Sequence, residues 1–158
     1  EKGVSDLANA WASVQRHVPD AKRAIVGGGP RREVGERIVG DRATVVGPQP
    51  HERVTTWMAA CDVLVLPSHT EGTPNVVLEA LASGRRVVAT SVGGVPDLIT
   101  DGKLGTLVPA KDPDALADAL VLALRQPYDA DEVARLGARG GWAASAKALH
   151  DVLADAAS

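Results

Sequence analysis

Short apolar segments alternate with helical patterns along most of this 158-residue sequence, and this alternation limits the possible folds more than any other feature. The segments with the length of a strand are 24–26, 43–46, 63–66, 86–90 and 104–108. Between them, apolar residues recur every three or four positions, as they do on one face of a helix, over 4–18, 54–61, 75–83 and 112–124. Strands that are apolar on both faces and separated by helices form a parallel sheet covered on both sides. The sequence therefore predicts one doubly wound, Rossmann-like α/β domain over residues 1–158.

Weaker patterns add further helices to this plan. Val34 and Ile38 indicate a short helix, and residues 95–100, 129–137 and 142–155 have helical spacing as well. Ligands of open parallel sheets bind at the carboxyl ends of the strands. The loops at that edge are 27–30, 47–50, 67–73 and 91–94. A binding site is therefore expected among these four loops.

Composition excludes several classes of function. The net charge is −3 and aromatic residues make up 3% of the chain, which argues against nucleic-acid binding, whether by a basic surface or by stacking. No segment approaches the roughly 18 apolar residues of a membrane-spanning helix. Cys61 is the single cysteine, so no internal disulfide forms, and a reducing, cytoplasmic location is expected.

Several motifs that suggest other chemistry are incomplete. Three glycines at 27–29 follow a strand, but a dinucleotide-binding fingerprint requires glycine where the chain has Arg32. Asp112 and Asp129 each begin a D-x-D sequence, the spacing of metal ligands in some sugar transferases, yet both stand where a helix begins and are predicted to be helix caps. The four histidines are scattered, and no metal site is predicted.

The segment 67–84 contains the most informative pattern. A buried strand stops at Pro67, and a polar loop follows with Gly72 at its centre. Thr73 is suited to the N-cap of a helix and Pro74 to its first position. Gly84 is a typical residue just beyond a helix end. A strand, a polar loop and a helix are therefore predicted in this order.

The helix in this segment has one narrow polar stripe. Its polar residues Asn75, Glu79 and Ser83 are four positions apart and fall on one side of an otherwise apolar helix. The stripe is either a thin strip of surface or the lining of a cleft, and the pattern alone leaves both interpretations open. A carboxylate in a cleft requires a partner such as a ligand hydroxyl.

Glu71 favours the cleft. It lies on the loop before the helix, at the carboxyl end of the strand, where the free amides and the helix dipole attract a diphosphate. Glu79 lies five residues beyond Pro74, about 7–8 Å along the helix axis, which is about the reach of one diphosphate. Two carboxylates on either side of an anion site indicate a nucleotide-sugar pocket.

Glu71 and Glu79, with seven residues between them, resemble the E-x7-E motif of retaining glycosyltransferases with the GT-B fold, the "glycosyl transferases group 1" family. The similarity extends over nearly the whole chain, from Lys2-Gly3 through 62–68 to 93–97 and 102–108. It corresponds to the C-terminal, donor-binding half of that fold. The resemblance implies a role in polysaccharide, glycolipid or small-glycoside synthesis.

The resemblance also assigns roles to residues. Glu71 is expected to bind hydroxyls of the donor sugar and Glu79 those of the ribose. Lys2 matches the lysine of a K-G motif that neutralises the diphosphate, and Lys2 and Glu71 are the candidate catalytic residues. The other candidates are expected to surround the sugar, diphosphate or base, and they are Gly72, Thr73, Pro74, Asn75, Gly47 and Gln49.

The implied reaction is retaining glycosyl transfer from a nucleotide diphosphate sugar, with no metal or other cofactor. The N-terminal, acceptor-binding half of the family is absent from this sequence, as is a strand that lies centrally in its sheet. We therefore expect the 158 residues alone to be inactive, with exposed sheet edges. Any peripheral membrane contact is expected through the absent half. The alternatives are a non-catalytic nucleotide-sugar-binding module or a sugar-nucleotide epimerase of the same fold.

Overall fold

The computed structural model describes residues 2–28 and 43–138 of the chain. Its helices are α1 (Val4–His17), α2 (His51–Ala60), α3 (Asn75–Ala82), α4 (Pro113–Arg125) and α5 (Ala130–Gly137). Its strands are β1 (Arg23–Val26), β2 (Ala43–Gly47), β3 (Val63–Leu66), β4 (Arg86–Thr90) and β5 (Gly105–Val108). The predicted helices around Val34 and over 142–155 lie outside the described residues.

All described strands pair in parallel, as the alternation of apolar strands and helices predicts. They form two ladders, one of β1 and β2 and one in the order β3-β4-β5. In the central strand β4, Val87 to Thr90 are buried, whereas every residue of β3 is only half-buried. Within the described part of the chain, β3 is therefore at the edge of its ladder and has one unpaired side.

Each face of the three-stranded sheet carries a separate hydrophobic core. Val88 of β4 packs with Trp11 and Val14 of α1 and with Leu116 and Leu120 of α4. The neighbouring residues Val87 and Ala89 point the other way and pack with α3 and α5. Successive side chains of a strand alternate between its two faces, so an uninterrupted apolar strand serves both cores. This arrangement confirms the doubly wound α/β prediction.

Two local predictions are wrong in detail. Residues 95–100 form a series of turns rather than a helix, although Val95, Leu98 and Ile99 are buried. A spacing of three to four buries the same side chains in consecutive turns, so the pattern does not separate the two structures. Helix α3 begins at Asn75 with Pro74 as its N-cap, one residue later than the Thr73 cap predicted from sequence.

The close approach of β5 to β4 provides a test of the packing. A Cβ added at Gly105 would overlap the carbonyl oxygen of Val87, whereas one added at Gly102 meets open space. We expect Gly105→Ala to lower the free energy of unfolding by about 1–3 kcal/mol, since overpacking forces the backbone to shift. Urea denaturation measures this difference, with Gly102→Ala as the matched control. Equal stability of the two variants would contradict the described pairing of β4 with β5.

Candidate functional site

The loop 67–73 connects β3 to α3 and lies at the carboxyl end of the sheet. Its first residues are buried, and the Ser68 carbonyl accepts a short hydrogen bond from the hydroxyl of Thr90, which ends the adjacent strand β4. The same hydroxyl lies 3.4 Å from the carbonyl oxygen of Leu66. The base of the loop is therefore held to the centre of the sheet.

The start of α1 packs against this loop. Gly3 has a left-handed backbone (φ +62°), and a Cβ there would overlap the carbonyl oxygen of Pro67. Next to it, the Lys2 ammonium donates a 2.6 Å hydrogen bond to the Glu71 carboxylate. The structure thus brings the two predicted catalytic residues into direct contact, although they are far apart in the sequence.

The two members of this ion pair differ in exposure. The Glu71 side chain is 9% exposed and that of Lys2 is 70% exposed. Burial raises the pKa of the Glu71 carboxyl, but the hydrogen bond and positive charge of Lys2 oppose it, and the net pKa lies below its ordinary value. Glu71 is therefore a carboxylate at neutral pH, while Lys2 keeps access to solvent and to a ligand.

A second polar pair joins the same two segments. Nε2 of His69 lies 2.7 Å from a carboxylate oxygen of Asp6, in the first turn of α1. Both side chains are mostly buried, with 20% and 16% exposed. Lys2–Glu71 and Asp6–His69 therefore lie beside each other across one contact.

The loop 91–94, which follows β4, supports the other side of Glu71. The Gly94 amide donates a 2.8 Å hydrogen bond to the Gly72 carbonyl. Gly93 approaches so closely that a Cβ on it would overlap the Glu71 carbonyl oxygen. A Cβ on Gly94 would lie 3.1 Å from the Thr73 hydroxyl. The backbone from Glu71 to Thr73 is therefore held between α1 and this loop.

The amino end of α3 has unused donors. Pro74 has no N–H, and no side chain in the described part of the chain caps the helix. The amides of Asn75 and Val76 donate to no acceptor among the described residues. Such amides and the helix dipole together favour an anion. Gly72, Thr73 and Asn75 are exposed and Pro74 is buried, so this helix end is open to solvent.

Glu79 lies on the polar stripe of α3 and is half-buried. Its carboxylate has no hydrogen bond or ion pair with another described residue. Within the stripe, Asn75 is exposed, while Ser83 is half-buried and donates its hydroxyl proton to the Glu79 carbonyl at 2.8 Å. The Glu79 carboxylate is thus available to a ligand. That Glu71 and Glu79 hold one ligand between them stays a prediction.

The predicted base-binding loop follows β2. Gly47 is buried, and its carbonyl accepts a 2.9 Å hydrogen bond from the Gly27 amide at the end of β1. The Gln49 side chain turns back onto its own loop, where its amide donates to the Pro48 carbonyl at 3.0 Å. These contacts order the loop, and a role of Gly47 and Gln49 in binding a base stays a prediction.

The two D-x-D sequences begin helices, as predicted. The Asp112 carboxylate accepts a 2.9 Å hydrogen bond from the Ala115 amide at the start of α4. The Asp129 carboxylate accepts from the amides of Asp131 (2.9 Å) and Glu132 (3.2 Å) at the start of α5. Both aspartates therefore act as helix caps.

A concave surface also lies at the other edge of the sheet. A cleft of about 340 Å³ is lined by Arg86, Lys103, Tyr128 and Glu132, among others, near the amino ends of β4 and β5. Its Lys103 and Glu132 form an ion pair of 2.8 Å. Ligands of parallel sheets bind at the opposite edge. We therefore assign the candidate site to the open surface around Glu71 and the start of α3, on the chemistry of its residues.

Sequence reasoning missed the residues that support Glu71. The sequence patterns place Asp6 within the predicted helix 4–18 without a role, His69 among four scattered histidines, and Thr90 at the end of a strand. Gly93 and Gly94 lay in a loop expected at the ligand edge. Thr90 and the two glycines stand at the carboxyl end of a strand, and this position could have indicated a role near the site. No feature of the sequence indicates that Asp6 pairs with His69.

Comparison with known proteins agrees with this geometry. The family "Glycosyl transferases group 1" matches residues 1–126. The chain is 35% identical to the D-inositol 3-phosphate glycosyltransferase of Corynebacterium diphtheriae, over 99% of this chain and 40% of that protein. The chain thus spans less than half the length of this curated relative.

Solved structures give the same result. Sucrose-phosphate synthase from Thermosynechococcus elongatus superposes with a TM-score of 0.75 and 31% identity, covering 99% of this chain and 43% of the other. The C-terminal domain of the group 1 glycosyl transferase LpcC from Francisella tularensis superposes with a TM-score of 0.68 and 25% identity, covering 88% of this chain and 75% of that domain. These neighbours define a C-terminal half of the GT-B fold.

The chain belongs to the glycosyl transferases group 1 family. This result confirms the family, and the C-terminal half of its fold, that residues 67–84 and the K-G motif predict. Among the described helices, none combines the length and the apolar character needed to span a bilayer.

The Lys2–Glu71 ion pair can be tested directly through the pKa of the Glu71 carboxyl. In Lys2→Met the opposing charge is lost while the burial of Glu71 remains, so we expect the pKa of the Glu71 carboxyl to rise. Carbon-detected NMR titration of the carboxyl measures this shift, with the exposed Lys111→Met as the control. In the unmodified chain the lowered pKa means that the pair stabilises the fold at neutral pH and that this contribution is lost as the pH falls through the lowered value. An unchanged Glu71 pKa in Lys2→Met would contradict the pairing.

Proposed function

We propose that this chain is the donor-binding half of a retaining glycosyltransferase. It binds a nucleotide diphosphate sugar and, when joined to an acceptor-binding half, transfers the sugar to an acceptor. The observation that carries the proposal is the uncapped start of α3 beside the Lys2–Glu71 ion pair, in a chain of this family. It supplies amide donors and a cation for phosphates together with a fixed carboxylate for a sugar.

Each residue has a role that follows from its surroundings. The amides of Asn75 and Val76 and the exposed Lys2 ammonium bind the diphosphate. Negative charge grows on this leaving group while the sugar becomes cationic, so donors fixed in advance lower the barrier. Glu71 accepts hydrogen bonds from sugar hydroxyls, and the Glu79 carboxylate accepts them from the ribose.

The remaining parts of the proposal concern the base, the metal and the location. The loop with Gly47 and Gln49 lies against the base, and Gly72, Thr73 and Pro74 surround the sugar and diphosphate. Transfer needs no metal, for which the support is that both D-x-D sequences are used as helix caps. The cytoplasm is the proposed location, because it suits a chain whose single cysteine is free.

Removal of the Glu79 carboxylate tests nucleotide binding. We expect Glu79→Ala to weaken binding of the preferred nucleoside diphosphate about ten- to hundredfold, as a lost charge-assisted hydrogen bond implies. Calorimetry with UDP, GDP and ADP and with UDP-glucose, GDP-mannose and ADP-glucose gives the affinities. Glu132→Ala, at the other edge of the sheet, is the matched control. Unchanged affinity in Glu79→Ala, with the fold intact, would contradict the ribose role.

Turnover separates this proposal from its alternatives. The 158 residues alone are expected to show no transfer, because the acceptor-binding half is absent from them. Binding without transfer after addition of an acceptor-binding half would instead favour a non-catalytic module. Redistribution of isotopic label within the donor sugar would favour an epimerase. Robust transfer by the 158 residues alone would contradict the proposal that an acceptor-binding half is required for transfer.

A further inference from the structure

We propose that Asp6 and His69 form a positioning pair that sets the register of α1 against the loop 67–73 and thereby holds Glu71 in its donor-binding position. This inference rests on the proposed function for its consequence, and on the geometry of the described residues for its cause. Neither residue is assigned to ligand contact. Both act through the segments that carry Lys2 and Glu71.

Basic and acidic residues alternate along this contact. The segment entering α1 carries Lys2 and then Asp6, and the loop carries Glu71 opposite the lysine and His69 opposite the aspartate. A shift that placed Asp6 opposite Glu71 would bring two carboxylates together and would separate His69 from its carboxylate partner. The two contacts Lys2–Glu71 and Asp6–His69 together therefore fix one position of the loop along α1. The Lys2–Glu71 contact alone would leave the loop free to rotate about that one point.

The second pair is also better placed to order the loop than the first. Lys2 precedes the helix and its side chain is largely exposed, so its energetic contribution to order is small. Asp6 lies within the first turn of α1 and is anchored by that helix, whose Ala10, Trp11 and Val14 are buried in a core. A mostly buried hydrogen bond to a carboxylate is strong and directional. His69 is thereby fixed to a rigid element two residues before Glu71.

The consequence concerns the sugar rather than the nucleotide. The nucleotide is bound mainly by the start of α3 and by Glu79, whose positions do not depend on this pair. The Lys2 side chain, which also meets the diphosphate, is largely exposed and can follow it if its segment shifts. Glu71 is the proposed ligand of the sugar, and its backbone belongs to the loop that the pair orders. Loss of the pair should therefore reduce the affinity that the sugar adds to a nucleoside diphosphate and leave the affinity for the nucleoside diphosphate itself nearly unchanged.

Amide hydrogen exchange tests the ordering directly. In Asp6→Leu and in His69→Leu of the 158-residue chain, we expect the amides of 68–73 to exchange about tenfold faster, while those of β4 stay protected. The double variant should exchange no faster than either single one, because both remove the same interaction. Asp6→Asn, which keeps a hydrogen-bond acceptor, should restore most of the protection. Unchanged loop exchange in both single variants would overturn the proposal.

Binding tests the consequence. The ratio of the dissociation constants of UDP to UDP-glucose, GDP to GDP-mannose and ADP to ADP-glucose is compared between the unmodified chain and the variants. We expect a fall of about tenfold in the ratio for the preferred pair, with the diphosphate alone binding as before. His17→Leu, about 16 Å along α1 from Asp6, and Asp118→Leu on α4 are the matched controls. A ratio unchanged in Asp6→Leu and His69→Leu would overturn the positioning role while the proposed function stands. Failure of the unmodified chain to bind any probe would overturn the proposed function and, with it, this role.

Discussion

The contact between the start of α1 and the loop after β3 is the constraint on which the rest of the site depends. Gly3 lies against the Pro67 carbonyl, and this close approach brings Lys2 within 2.6 Å of the Glu71 carboxylate. A buried carboxylate is costly without a partner, so the pair allows an acidic group to remain ionised at the edge of a hydrophobic core. The exposed lysine keeps the freedom to meet a second anion. The position of the loop and the proposed binding of a diphosphate sugar therefore depend on the same contact.

The architecture could be predicted from the sequence because it depends on local patterns. An uninterrupted apolar strand such as Val63–Leu66 packs on both faces of a sheet, and the structure shows cores on both sides. Asp112 and Asp129 were recognised as caps because capping is a matter of neighbouring residues. Residues 95–100 show the limit of such patterns, since consecutive turns bury Val95, Leu98 and Ile99 as well as a helix would.

The site was only partly predictable, because its decisive contacts are long-range. Lys2 and Glu71 are 69 positions apart, and Asp6 and His69 are 63 apart. The spacing of apolar and polar residues along a sequence does not indicate pairs so far apart. The family resemblance identified Lys2 and Glu71 by their motifs, but it carried no information on Asp6 and His69, which lie outside any motif. The helix start at Asn75 agrees with the predicted range 75–83, but its N-cap was placed one residue early because Thr73 has good capping chemistry. The Thr73 hydroxyl lies beside Gly94 instead.

The most direct test of the central claim is a crystal structure of the chain with the nucleoside diphosphate that it binds best. The account predicts phosphate oxygens within hydrogen-bond distance of the Asn75 and Val76 amides and of the Lys2 ammonium, with the ribose at Glu79. Phosphates bound instead in the cleft lined by Arg86 and Lys103, with the Lys2–Glu71 surface empty, would contradict it.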